Sequence, residues 1–450
     1  MNDLRKLAEF ISNLRWEDLP EPVVKAAKLC VLDIIGVAVG ARDDKLVNSI
    51  AKSYKMRTKA EDCSVWGKSE KFSLSTAAMI NAMFAHTLEL DDVHTASKAH
   101  IGASVIPAAW STAEYLGCTG KEFLLAVVCG YETAARIGMA LGASSHRNKG
   151  WHATSTCGVF GCAAACAKLL KLDQKETIST LGMAGTQACG LWAFLGDGAN
   201  CKILHVGRAA SNGLESAFLA KAGMTGPEHI LDAKDGGLLA AMSDEYDVTK
   251  VSQGLGEKYE ILSLDNKPYP CCRSSHCAID SALKIREEHG IGYEEIEKIQ
   301  VGTYLVGYKQ CAVSKGCLNP KIPLDAKFST LYAVAVAFLY GKVTMDEFKQ
   351  DIIDKPKVQE LLHKVIVKED KRFTELYPEH WGCEMHVRCK DGRTFKTIIK
   401  DPSGSIYNPL TTNQVIEKAE IIMQKHYSEN KEKIIDRILK LEEYTKMPKL

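Results

Sequence analysis

The chain has 450 residues, too long for one simple core, so two or three domains are expected. Its 57 basic and 56 acidic side chains leave a formal net charge of +1, and no Lys/Arg run marks a local footprint, which removes the electrostatic case for nucleic acid. A composition of 46% hydrophobic and 25% charged residues is ordinary for a globular protein, and no uninterrupted apolar run reaches the roughly 18 residues that a membrane span needs.

Leu4, Leu7, Phe10, Ile11 and Leu14 recur at three and four residues, which predicts an amphipathic opening helix and not a secretory signal; a cytoplasmic location is expected. Pro20 and Pro22 restart the chain into a helix through Val24, Ala27, Val31 and Ile34 to Gly36. Helical patterning continues to about residue 257. Many of its later segments, such as Gly158 to Leu170, are rich in Ala, Gly, Ser and Cys, which let helix axes approach closely and predict buried central helices.

Three histidine-bearing segments interrupt this helical run. In the first, Asp91, Asp92, His94 and His100 fall within ten residues, ahead of Ile101-Gly102-Ala103. If a helix starts there, its N-terminus favours an anion that His100 could meet; solvated histidines with capping aspartates are the plainer alternative, and a metal site is a third, weaker one. In the second, His152 precedes Thr154, Ser155 and Thr156, a hydroxyl-rich helix start that would suit a carboxylate, or a simple capping turn. In the third, Lys202, His205 and Arg208 share one helix face, either a solvated basic stripe or a partly buried one, given Leu204, Val206, Ala209 and Ala210 beside them.

After about residue 258 the character changes. Residues 297–304 alternate like a strand, Phe328 to Leu339 reads as an apolar helix, and residues 384–390 and 393–400 read as a hairpin turned by Asp391-Gly392. Lys267, Arg273 and His276 surround a proline-stiffened turn, and Tyr308 follows the strand. Thr411 and Gln414 have capping-box spacing and open a closing helical segment. The fold class is therefore mainly α with an α+β insertion: a large helical domain built from both chain ends (1–257 and 404–450) around a smaller α+β domain (258–403).

Sixteen scattered cysteines contain no Cys-x-x-Cys, so reduced, buried thiols are expected, Cys271-Cys272 included. There is no Gly-x-Gly-x-x-Gly after a strand, no Walker A loop, no His-Glu-x-x-His and no Gly-x-Ser-x-Gly. What remains is a cofactor-free proton-transfer site rich in cationic groups.

Six ordered segments carry a resemblance: His86 through Glu89-Leu-Asp-Asp-Val-His94 to His100, Gly150-Trp-His-Ala-Thr154, Lys202 to Ala210, Lys267 to His276 with Asp280, Ala326 to Tyr332, and Asn408-Pro-Leu-Thr411. Together they resemble the MmgE/PrpD family, which includes 2-methylcitrate dehydratase, cis-aconitate decarboxylase and iminodisuccinate epimerase. The resemblance implies that the α+β part is a lid, that the protein is a homodimer, and that neither metal nor organic cofactor is used. By position it puts pocket histidines at His100 and His152, a pocket lysine at Lys202 and a lid tyrosine at Tyr308, with Lys267 and His276 nearby. Val93 stands where cis-aconitate decarboxylase has a pocket threonine, and Glu89 takes an earlier acidic position.

The chemistry so implied is making or breaking a C–H bond beside a carboxylate of a di- or tricarboxylate. Lys202, Lys267 and Arg273 are expected to neutralise substrate charge, with His276, His205 and Arg208 as further binding groups. His152 and His100 are the expected acid/base pair, Tyr308 a proton donor, and Asp91 or Asp92 the group that orients a histidine. Elimination of water from a 2-methylcitrate-like acid leads, with epimerisation or decarboxylation as alternatives; a helical anion-binding protein is the non-enzymatic one.

Overall fold

The computed structural model describes residues 2–427 and 430–450. The chain is mainly helical with small sheets and forms two compact units. One comprises Met1–Trp192, Cys201–Asp265 and Thr411–Leu450; the other comprises Ala193–Asn200 and Asn266–Leu410.

In the first unit the opening helix, Asp3–Asn13, is capped by the Asn2 side chain, which accepts from the Arg5 N–H, and it buries Leu4, Leu7, Ala8 and Ile11. Five longer helices make the centre: Glu21–Gly40, Leu74–Thr87, Gly102–Leu116, Gly120–Leu141 and Lys202–Lys221, with Gly158–Leu169 packed among them. Small residues set how closely these cross. A Cβ on Gly130 would stand 2.9 Å from the Gly161 carbonyl, and one on Gly161 would stand 2.7 Å from the Gly130 carbonyl, so two helix backbones touch at this point.

The Gly120–Leu141 helix is long and apolar enough to cross a membrane, a property that counting uninterrupted apolar runs overlooked. It is instead a core helix, in which only Lys121, Glu122 and Met139 escape burial. Its buried Glu132 and Arg136 bind the chain that follows the helical region. Arg136 donates to the carbonyls of Gln253 (2.6 Å) and Lys258 (2.8 Å), and Glu132 accepts from the Ile261 N–H at 3.2 Å. A two-residue ladder then pairs Val93 with Asp265 and His94 with Leu264. These bonds keep residues 258–265 in the first unit, whereas the change in sequence character begins near 258.

The second unit holds a four-stranded sheet in the order Val365–Glu369, Ile296–Thr303, Cys383–Cys389, Thr394–Ile399. The first pair is parallel and the others are antiparallel. The expected hairpin is present, with Gly392 at φ +87° in its turn. The helices His276–His289, Thr330–Tyr340 and Pro356–Leu362 add to this unit's core. All sixteen cysteines are unbridged, and only Cys189 and Cys201 are exposed.

At the C-terminal return, Thr411 accepts from the Gln414 N–H while the Gln414 side chain accepts from the Thr411 N–H, the reciprocal cap expected from the sequence. The helix it opens, Thr412–Met423, packs on Glu21–Gly40.

Candidate active site

Histidines from four separate stretches of the first unit meet in one buried cluster. His86 ends the Leu74–Thr87 helix, His100 precedes the Gly102–Leu116 helix, His152 precedes the short helix Ala153–Thr156, and His205 lies on the first turn of Lys202–Lys221. The His86 ring is 5.0 Å from that of His100 and 6.1 Å from that of His152 by centroids, and His152 is 5.1 Å from His205. Trp192 sits edge-on to His152 at 4.8 Å, under the Arg147 guanidinium.

Asp91 organises one half of the cluster. Its Oδ2 hydrogen-bonds His86 Nδ1 at 2.7 Å and lies 3.1 Å from His100 Nδ1. Burial opposes a charge here, but the two imidazoles overcome it and hold the Asp91 carboxyl well below the usual range. An ionised carboxylate can only accept, so His86 carries its proton on Nδ1. Its Nε2 is buried and has no hydrogen-bond partner among the described residues. His86 and Asp91 are fully enclosed, whereas the His100 side chain keeps 15% of its surface accessible.

His152 and His205 form the other half, joined Nδ1 to Nδ1 at 2.9 Å. Burial pushes His152 well below its ordinary range, helped by the charges of Lys202 and the neighbouring histidines. Burial likewise lowers His205 to about 4, with His86 and Lys202 adding to it. Both are therefore neutral near pH 7. Lys202 is buried and ion-paired with Glu89, itself buried. Glu89 occupies the left-handed region at φ +58°, a conformation that costs a residue other than glycine on the order of 1 kcal/mol and that clusters at working sites.

Several expectations change in detail. Asp92 does not face a histidine: its Oδ2 accepts from the Tyr131 hydroxyl at 2.5 Å and its Oδ1 from the Gly102 N–H at 3.0 Å. It is thus the anion-side partner of the helix start that the sequence offered to a ligand. Burial raises its carboxyl to about 7, against the Tyr131 hydrogen bond and with the charges of Asp91 and Asp33 adding. The hydroxyls after His152 are engaged by protein groups as well. Thr154 accepts from the His100 N–H, Thr156 bonds His146 Nε2, and Ser155 donates to the His205 carbonyl. Arg208 is exposed, away from the buried turn that holds Lys202. His94 is not solvated but buried, contacting Glu260 at 3.2 Å and Ser97 at 2.9 Å.

His86, Asp91 and His100 also present potential metal-donor atoms within 4.8 Å of one another, while one nitrogen of each histidine lies against the Asp91 carboxylate.

The remaining expected residues lie in the second unit. Lys267, Arg273 and His276 are buried there. Arg273 Nη1 donates to the Ser403 carbonyl at 2.8 Å and meets His276 Nδ1 at 2.9 Å, while His276 Nε2 faces the Cys271 carbonyl at 3.3 Å. This pattern fits a neutral imidazole that accepts at Nδ1 and donates from Nε2. Tyr308 is half-buried on the helix Leu305–Cys311, against this unit's core.

His86 and Trp192 had no assigned place in the sequence-based site, and Glu89 was noted only by its position. For His86 a signal existed: an imidazole at the end of an otherwise apolar helix, five residues before an aspartate pair.

Known proteins share sequence with this chain along most of its length. The chain is 28% identical over 467 residues to the cis-aconitate decarboxylase-like protein oryM of Aspergillus oryzae, covering 98% of this chain and 95% of that protein. It is 27% identical over 432 residues to the cis-aconitate decarboxylase of Homo sapiens, covering 91% and 85%. It is 24% identical over 297 residues to the 2-methylcitrate dehydratase of Salmonella typhimurium, covering 63% and 61%. Residues 5–250 match the MmgE/PrpD N-terminal domain and residues 269–442 the MmgE/PrpD C-terminal domain, and the chain belongs to the MmgE/PrpD family.

Proposed function

We propose that this chain is a lyase that transfers a proton at the carbon next to a carboxylate of a small di- or tricarboxylate. The observation that carries the reading is the Asp91 carboxylate shared by His86 and His100, beside the neutral His152–His205 pair and the buried Lys202. Neutral imidazoles can accept a proton, and an ionised carboxylate behind one stabilises the imidazolium that forms. In elimination of water, a base takes the C–H proton, that electron pair becomes the double bond, and the hydroxyl leaves with a second proton from an acid. His100 and His152 are the candidates for these two roles, with Lys202 balancing substrate charge. Lys267, Arg273, His276 and Tyr308 are proposed as binding and donor groups on the family resemblance, as is the homodimer; a cytoplasmic location is proposed from the amphipathic opening helix.

A 2-methylcitrate-like hydroxy acid remains the leading substrate class, because Val93 supplies no hydroxyl where cis-aconitate decarboxylase has a threonine; here Val93 is buried in the ladder with Asp265. Decarboxylation of a cis-aconitate-like acid is the second reading, favoured by named decarboxylases that match nearly the whole chain. Proton NMR in heavy water on citrate, 2-methylcitrate, cis-aconitate and iminodisuccinate separates the cases. Loss of water with a new vinyl or allylic signal supports the first reading, loss of carbon dioxide the second, and exchange without net change an epimerase. Binding of these acids with neither conversion nor exchange overturns the enzyme reading.

A further inference from the structure

The helix Thr412–Met423 turns one lysine into the interior of the first unit. Lys418 Nζ lies 2.6 Å from Asp33 Oδ1 and donates to the Leu90 carbonyl at 2.8 Å. The Lys418 side chain is 10% exposed and that of Asp33 1%. Leu90 stands between two residues of the candidate site: Glu89, which pairs with Lys202, and Asp91, which holds His86 and His100. A lysine 328 residues away in sequence therefore fixes the carbonyl between the site's two working carboxylates.

The surroundings explain why a cation is needed there. Asp33, Glu89, Asp91 and Asp92 are all buried in this part of the unit, and a buried charge is tolerated only when paired. The backbone gives a second reason. Glu89 is held at φ +58°, and such a conformation persists only where neighbouring contacts determine it. The Lys418–Leu90 bond is one of those contacts, made one residue further along the chain.

We propose that Lys418 is a positioning residue for proton transfer: by anchoring the Leu90 carbonyl it sets where Glu89 and Asp91 present their carboxylates to Lys202 and to the two histidines. The proposal deepens the functional reading above and rests on it for its catalytic consequence. It touches no substrate, so its effect is expected in turnover and in the state of the histidines.

The test compares Asp33→Asn with the pair Asp33→Asn/Lys418→Met in the full chain. Both remove the ion pair, but only the second removes the donor to Leu90. Folding is checked by circular dichroism. If Asp33→Asn alone proves unstable, the double variant, which buries no unpaired charge, is compared with the unmodified protein. Two quantities are read: kcat against KM on the polycarboxylate that the protein converts, and the His86 Nδ1–H resonance in nitrogen-15-labelled protein. The double variant is expected to move that resonance and to lower kcat by about tenfold or more, with a smaller change in KM. An unmoved resonance and an unchanged kcat in a folded double variant overturn the proposal. If the unmodified protein converts no polycarboxylate, the functional reading fails, and the His86 resonance still decides whether Lys418 positions Asp91.

Discussion

His152 and His205 meet nitrogen to nitrogen, their Nδ1 atoms 2.9 Å apart. One of the two must donate and the other accept, so the pair cannot hold protons on both facing nitrogens. The tautomers of His152 and His205 are consequently coupled, and burial keeps His152 neutral. His152→Gln is expected to lower kcat by roughly 100-fold or more while the circular dichroism spectrum is unchanged. Retained turnover in a folded variant would remove His152 from the acid/base pair.

Lys202 and Glu89 behave as a unit. Lys202→Met alone leaves a carboxylate buried without its cation, which is expected to destabilise the protein by about 3–5 kcal/mol. Adding Glu89→Gln is expected to recover most of that stability but not the activity. Urea unfolding midpoints and kcat/KM on the same three proteins check this.

Acid should weaken the first unit through its buried histidines. Burial lowers His146 and His205 to about 4, from an ordinary value of 6.5. In the unfolded chain both take up protons near pH 6.5, while in the folded chain they resist until about pH 4. Their contribution is therefore complete above pH 6.5 and is lost as pH falls toward 4. His146→Gln, which keeps a polar group near Thr156, is expected to flatten the fall in thermal midpoint across that window.

Asp92 acts in the opposite sense. Its carboxyl is raised to about 7 from an ordinary value of 3.8, chiefly by burial, so the folded protein holds this proton where the unfolded chain has lost it. The associated stability is present at low pH and is lost as pH rises through about 7. Asp92→Asn retains hydrogen-bonding groups for Tyr131 and Gly102 without this titration. Its stability relative to the unmodified protein is expected to improve as pH rises from 3.8 to about 7 and to level off above that in matched urea titrations.

Periodicity made much of the architecture legible. The apolar stripe of residues 4–14, the small-residue helix after Gly158, the Asp391-Gly392 hairpin and the Thr411 cap each encode a local preference that tertiary packing did not override. The strand Val365–Glu369 was not legible, because its parallel partner, Ile296–Thr303, is remote in sequence and its alternation spans only five residues. The site divided in the same way. Residue type together with the family resemblance pointed to Asp91, His100, His152 and Lys202, but not to which of two adjacent aspartates faces the imidazoles. That choice is made by Tyr131 and the Gly102 N–H, which draw Asp92 away. Lys418 left no local signal, since a single lysine on an amphipathic helix reads as solvated until its contact with Leu90 is known.

In the proposed reaction an ionised Asp91 behind His86 and His100 drives proton transfer beside a carboxylate. The most direct measurement is the rate at which the unmodified protein and Asp91→Asn convert, or exchange deuterium into, the same polycarboxylate in heavy water. A rate lower by about 100-fold or more is expected in a folded Asp91→Asn protein. An Asp91→Asn protein that works at the unmodified rate would contradict it.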